Sequence, residues 1–282
     1  AHRVAPETRN SQRVSIDLAG TTLLGSAIAS LLIALSLGPL LHWSWPCLLL
    51  LALFPLLLRY LWRVELRLEA CQGAPLLPPG LLRLPSVKFS LILAILFFSS
   101  WSGFMFAVAL TLQSGIGLAA FQSGNAFIAL GVAYFIAAMF STRVVQRYGK
   151  LTTLLIGCAI QMVGLLLLML TFHFGWKAIG IATLIPSTAL IGFGQAPIVS
   201  CFYRIGLSDV PKQQAGAGSS MLSTVQQSAL GLGPLLMGTI FSQVLQQQHN
   251  YPLAINTALA AEWLVMLILV VTAFTTRRQL EG

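Results

Sequence analysis

Eight long apolar runs, none broken by polar alternation, constrain this chain more than any other feature. They lie near 18–41, 43–61, 89–112, 120–140, 151–172, 178–203, 215–245 and 252–275. A helix rises about 1.5 Å per residue, so roughly 20 apolar residues cross the ~30 Å hydrocarbon core of a bilayer. Strands of a membrane barrel would be shorter and would alternate apolar with polar, which excludes that class. A soluble fold is excluded by composition. Soluble domains carry about a quarter charged residues, whereas this chain has 8% charged and 57% hydrophobic residues. The expected fold is therefore an all-α integral membrane protein of about eight spans.

Loop chemistry divides these spans. Spans one and two are joined by a turn at His42 to Pro46 and form a hairpin. A long connection follows, with Pro75, Pro78, Pro79 and Pro85, and the last six spans then run with short loops. The expected units are a cytoplasmic segment 1–16, a two-helix transmembrane hairpin 17–62, a cytoplasmic loop 63–88, a six-helix bundle 89–276 and a cytoplasmic tail 277–282. The opening AHRVAPETRN holds no apolar core of a signal peptide, and the chain is expected to be part of a longer one.

Charge orients the spans. With loops numbered alternately, one side receives Arg3, Arg9, Arg13, Arg59, Arg63, Arg67, Arg83, Lys88, Arg143, Arg147, Lys150, Arg204, Lys212, Arg277 and Arg278. The other side has Lys177 alone. The positive-inside rule makes the basic side cytoplasmic, so an even number of spans with both termini inside is expected. This distribution also explains the net charge of +9 without nucleic acid, because the cations sit at the ends of apolar runs. Arg59, Arg63 and Arg67 recur every fourth residue on one helix face. They read either as an interfacial helix end snorkelling to headgroups or as a dedicated lipid or regulatory site.

Polar residues inside spans are the candidates for chemistry. Glu262, in ALAAEWLVMLILVV, is the one acid within a span, about ten residues or ~15 Å from its outer end. Such a carboxylate is costly in hydrocarbon and normally faces a bundle interior or a watery cavity. It reads either as a group for reversible protonation or as a helix-end acid reaching headgroups or a neighbouring amide. Gln113, Gln122, Asn125, Gln161, Gln195, Gln226 and Gln227 lie in or beside spans, and such amides usually tie helices together. Gln195 and Gln226, set among small residues, are also candidates to line a substrate cavity, with Gln113 and Asn125 beside them. IGFGQAP (191–197) puts Gly192, Gly194 and Pro197 at mid-span, and 214–238 includes Gly216, Gly218, Gly231 and Gly233. Close packing and bendable mid-depth helices both fit these patterns.

Catalytic constellations are lacking. His2, His42, His173 and His249 are isolated, and no GxSxG, HExxH, P-loop or acidic metal cluster occurs. Cys47, Cys71, Cys158 and Cys201 show no CxxC spacing and read as lone apolar residues. Neither an enzyme, a cofactor nor a metal is expected.

One cytoplasmic loop carries a resemblance. STRVVQRYGK (141–150) resembles the second-half copy of the major facilitator superfamily loop GxLxDRxGRK. Arg143, Arg147, Gly149 and Lys150 fall on its basic and glycine positions, and Val145 or Gln146 stands where the acid would be. SIDLAGTTLLG (15–25) looks like the start of the extra central hairpin of the fourteen-span drug:proton antiporters (DHA2-type). PLLPPGLLRLPSVK (75–88) looks like the run before their second bundle, and AGAGSSMLSTVQQSALGLG (215–233) like their penultimate span. The chain is similar to the C-terminal eight spans of such an exporter. That resemblance implies a multi-pass protein of the inner (plasma) membrane, efflux of lipophilic or cationic compounds against proton influx, and Glu262 as the coupling candidate. Its implied partners are the lipid bilayer, a small-molecule substrate, protons and an N-terminal six-helix half. The alternatives are a truncated, transport-inactive fragment or a membrane scaffold.

Overall fold

The computed structural model describes residues 17–38, 41–71 and 77–281, with side chains up to Arg277. Readings that fall on 1–16, including Arg3, Arg9 and Arg13, and on Pro75 and Arg278 lie outside what is described. Among the described residues eight helices are long and apolar enough to cross a membrane. They are α1 (Leu18–Leu37), α2 (Trp45–Ala70), α3 (Pro85–Gly115), α4 (Ala120–Tyr148), α5 (Lys150–Phe174), α6 (Ile181–Gly206), α7 (Lys212–Gln248) and α8 (Tyr251–Arg277).

Helices α3 to α8 share one hydrophobic core. Within it α6 lies between α4 and α5, α8 packs on α5, α7 and α3, and α7 packs along α3. The hairpin of α1 and α2 stands outside this bundle and touches it through α1 on α7. Large apolar side chains such as Leu56, Phe135, Met139 and Phe274 point outward, as expected where hydrocarbon is the solvent.

Several helix ends differ from the sequence expectation, as where α4 runs to Tyr148 rather than near 140. The second apolar run was expected to end near 61 with its helix face continuing through Arg67, and α2 runs on to Ala70. Its last turns hold the linker: Glu65 Oε2 accepts the Leu77 N–H at 3.3 Å, and Glu69 Oε1 accepts the Gly80 N–H at 2.9 Å. Helix α3 starts at Pro85 rather than 89, because proline's fixed φ suits a first helical turn, where no N–H is required. Between them Leu81 and Val87 form a small apolar cluster with Val210 and Met221. The linker is thus tied both to the hairpin and to the α6–α7 connection. Replacing Glu69 with Ala removes one of those ties. Limited proteolysis within 77–84 should become roughly threefold faster, consistent with losing one exposed hydrogen bond of about 0.5–1 kcal/mol. An unchanged cleavage rate would show that the Glu69 bond does not hold the linker.

Alternation of the helices brings the α4–α5 and α6–α7 connections to one end and Lys177 to the other. Arg204 Nη2 donates to Thr142 Oγ1 at 3.0 Å across the first of these ends. Helices α4 and α5 meet at Gly149 alone, whose φ of +82° is open to glycine and strained for other residues. Helix α3 contains two wider π-helical stretches, Ala94–Phe98 and Thr111–Gly115.

Candidate functional site

Helix α8 buries the face Ile255, Ala258, Leu259, Glu262, Met266, Leu269 and Ala273, a spacing of three and four residues that keeps them on one stripe. Glu262 is 1% exposed and Gln161, on the buried face of α5, is 0% exposed. The Gln161 side chain stands at interacting distance from the carboxyl group. Even so, neither amide atom of Gln161 and neither oxygen of Glu262 completes a hydrogen bond of ordinary geometry within the protein. Asn256 Oδ1 and Trp263 Nε1, on the same helix, are also buried and also lack a protein partner. Enclosure of this degree removes the reading of Glu262 as a helix-end acid reaching headgroups. Among the open alternatives, an amide neighbour and a protonatable group survive.

Glycines set how closely the helices around this pair approach. A Cβ at Gly194 of α6 would stand 2.5 Å from the Gln161 nitrogen and 2.6 Å from the Gly157 oxygen, both backbone atoms of α5. On the other side of α6, a Cβ at Gly192 would overlap the Leu130 carbonyl of α4. Pro197 lies beside the same crossing, 3.1 Å from a Cβ built on Gly157, and Gln195 between them is buried. A second crossing joins α3 and α7, where a Cβ on Gly233 would overlap Ser99 and Ser102. The small residues of α7 do not behave alike. Gly218 packs tightly on Leu207, Gly231 makes ordinary contact with Leu32 of the hairpin, and Gly216 has nothing within 4 Å. Gly216 therefore mediates no close approach among the described residues.

The other amides do not converge on Glu262. Gln226 Oε1 accepts the Tyr203 hydroxyl at 2.8 Å, a tie between α7 and α6. Gln113 is exposed in the last turn of α3 and reaches Ser123 Oγ at 3.5 Å. Asn125 lies at one end of an open groove of about 670 Å³ between α4 and α6, otherwise lined by apolar residues such as Val132 and Ile185. The cysteines read as lone residues are free thiols, with Cys158 of α5 and Cys201 of α6 both buried in the core. Among the described residues no group of three or more His, Cys, Asp or Glu could hold a metal.

At the basic end, Arg143, Arg147, Gly149 and Lys150 are all exposed, with the Arg147 guanidinium 5.5 Å from the Tyr148 ring centre. The sequence profile described as Major Facilitator Superfamily matches residues 1–234 of the chain. The chain belongs to the major facilitator superfamily. The matched family is one of membrane transporters rather than enzymes. The chain is 30% identical over 247 residues to the "Probable actinorhodin transporter" of Streptomyces coelicolor, covering 86% of this chain and 42% of that protein. It is 25% identical over 237 residues to the "Tetracenomycin C resistance and export protein" of Streptomyces glaucescens, covering 81% and 41%. It is 23% identical over 193 residues to the "Multidrug efflux pump LfrA" of Mycolicibacterium smegmatis, covering 67% and 38%. The chain thus spans about two fifths of the length of these superfamily relatives.

Within this superfamily chain, the residues that sequence reasoning undervalued are Gln161, Tyr203 and Trp263. Gln161 was visible as an amide deep in an apolar run, but the facing of Glu262 by Gln161 was not. Tyr203 gave no signal beyond an aromatic near a helix end.

Proposed function

We propose that this chain forms the central hairpin and second six-helix half of a proton-coupled exporter of lipophilic or cationic compounds. The observation that carries the reading is the match along 86% of the chain to a relative named as an antibiotic transporter. The order of hairpin, linker and six-helix bundle agrees with it. In this reading the basic end is cytoplasmic, by the positive-inside rule, and both termini are inside. A further six-helix half completes the substrate cavity, so that two halves rock about a site at mid-depth. Gln195, Gln226, Gln113 and Asn125 are the polar groups this half would offer to substrate. Glu262 takes up a proton when the α5–α8 contact opens and releases it to the other side.

Transport assays in inverted membrane vesicles test this. Vesicles holding the chain together with its first six-helix half should export a fluorescent lipophilic cation when a proton gradient is imposed. A protonophore should abolish that export. Absence of gradient-driven export with both halves present in the membrane overturns the transport reading in favour of an inactive fragment or a scaffold.

A further inference from the structure

The cytoplasmic-side end of α2 is electrostatically two-faced, and neither the bundle nor Glu262 accounts for this. On a helix of about 3.6 residues per turn, Arg59, Arg63 and Arg67 stay within a sector of about 80°. All three are exposed, and none has a hydrogen-bond or ion-pair partner among the described residues. The acids of the same turns point the other way. Glu65 is 0% exposed and accepts the Leu77 N–H, and Glu69 accepts the Gly80 N–H. The linker therefore occupies the carboxylates and leaves the guanidiniums on the outer face without neutralisation.

Directly below the arginines the same face is apolar. Leu49, Leu53, Leu56 and Tyr60 are all exposed, spaced by four, three and four residues, so they form one lane along α2 that runs into Arg63 and Arg67. The depth of the junction is fixed by the hairpin partner. Glu65 Oε1 lies 2.9 Å from a Cβ built on Gly20, near the start of α1. The arginines accordingly flank the level at which α1 begins and the apolar span ends. Arg59 is about 9 Å deeper than Glu65, within reach of a snorkelling side chain.

We propose that this face of α2 is a docking site for an anionic phospholipid, its acyl chain along the leucine lane and its headgroup phosphate held by Arg59, Arg63 and Arg67. A surface that lies inside the bilayer for most of its length is reached by lipid or by another membrane helix rather than by a soluble partner, and the row of unneutralised guanidiniums at its end favours the lipid. Guanidiniums match phosphate oxygens in geometry as well as charge, and a net-negative headgroup is favoured over a zwitterionic one because no acid among the described residues supplies a counter-charge on this face.

Native mass spectrometry of the detergent-purified chain, titrated with phosphatidylglycerol or phosphatidylcholine of identical acyl chains, tests the site. The chain should retain phosphatidylglycerol in preference to phosphatidylcholine. Replacing Arg59, Arg63 and Arg67 together with Gln should erase that preference, at roughly fivefold per arginine. Equal loss of charge elsewhere, by Arg143→Gln, Arg147→Gln and Lys150→Gln, should leave most of it in place. Equal retention of the two lipids by the unaltered chain overturns the proposal, as does an equal loss in the loop variant. Should the triple α2 variant not fold, Arg63→Gln alone is the deciding variant, with about fivefold weaker retention expected and unchanged retention refuting the site.

Discussion

Gly194→Val is expected to prevent recovery of folded, monodisperse protein, or to lower its thermal midpoint in detergent by more than 10 °C on the order-of-magnitude scale of a strong overpacking defect. The reason lies in what the new side chain meets. At Gly194 even a Cβ would stand 2.5 Å and 2.6 Å from backbone atoms of α5, and backbone in a helix cannot rotate aside as a side chain would. Helix α6 would have to withdraw from α5, but on its opposite side Gly192 already abuts the Leu130 carbonyl of α4. The displacement would therefore open the core rather than shift one contact. Overpacking of a core commonly costs about 1–3 kcal/mol when side chains can adjust, and this crossing offers no such adjustment. Gly216→Val supplies the comparison, since nothing lies within 4 Å of a Cβ there. Size-exclusion profiles and unfolding midpoints of the two variants should separate clearly. Equal behaviour of Gly194→Val and Gly216→Val would refute the close α5–α6 crossing.

That contrast marks how far the sequence could be read. The number and order of helices were legible because hydrocarbon imposes them: each span must satisfy its own backbone, so each appears as a long apolar run. Helix ends were less legible from hydropathy, and in α2 the arginine spacing, not the apolar run, carried the helix past 61. Its continuation to Ala70 rests on carboxylates that bond to backbone groups eleven and twelve residues later, a tertiary event that hydropathy does not encode.

Facing was the least legible property. In a soluble helix the polar face identifies the buried one. A helix that is apolar all round, such as the stretch of α5 around Gln161, gives no such phase. Glu262 could be singled out because an acid inside a span is rare, but its juxtaposition with Gln161 arises from the packing of α8 on α5. The glycines illustrate the same limit: Gly194 and Gly216 were both packing candidates in sequence, yet a Cβ at the first meets backbone and a Cβ at the second meets nothing within 4 Å.

Glu262→Gln is expected to uncouple export from the proton gradient while leaving the fold intact. The substitution keeps the shape of the side chain and removes the carboxyl group that, in the proposed mechanism, exchanges a proton. Its packing surroundings, Leu259, Met266 and the α5 face around Gln161, are apolar or neutral, so an amide is accommodated without stranding a charge. The new amide can also donate to Gln161 Oε1, which has no hydrogen-bond partner in the present arrangement. Thermal midpoint and elution volume should consequently remain close to those of the unaltered chain. In vesicles carrying both halves of the exporter, gradient-driven export should fall by at least about tenfold, the scale of losing an essential proton-transfer group. Substrate-induced proton movement should vanish with it. Gln161→Leu separates positioning from proton exchange, because it removes the facing amide and keeps the carboxyl; it should shift the pH profile of export without abolishing coupling. Unchanged proton coupling in Glu262→Gln would remove this residue from the mechanism and leave the α5–α8 contact as packing alone.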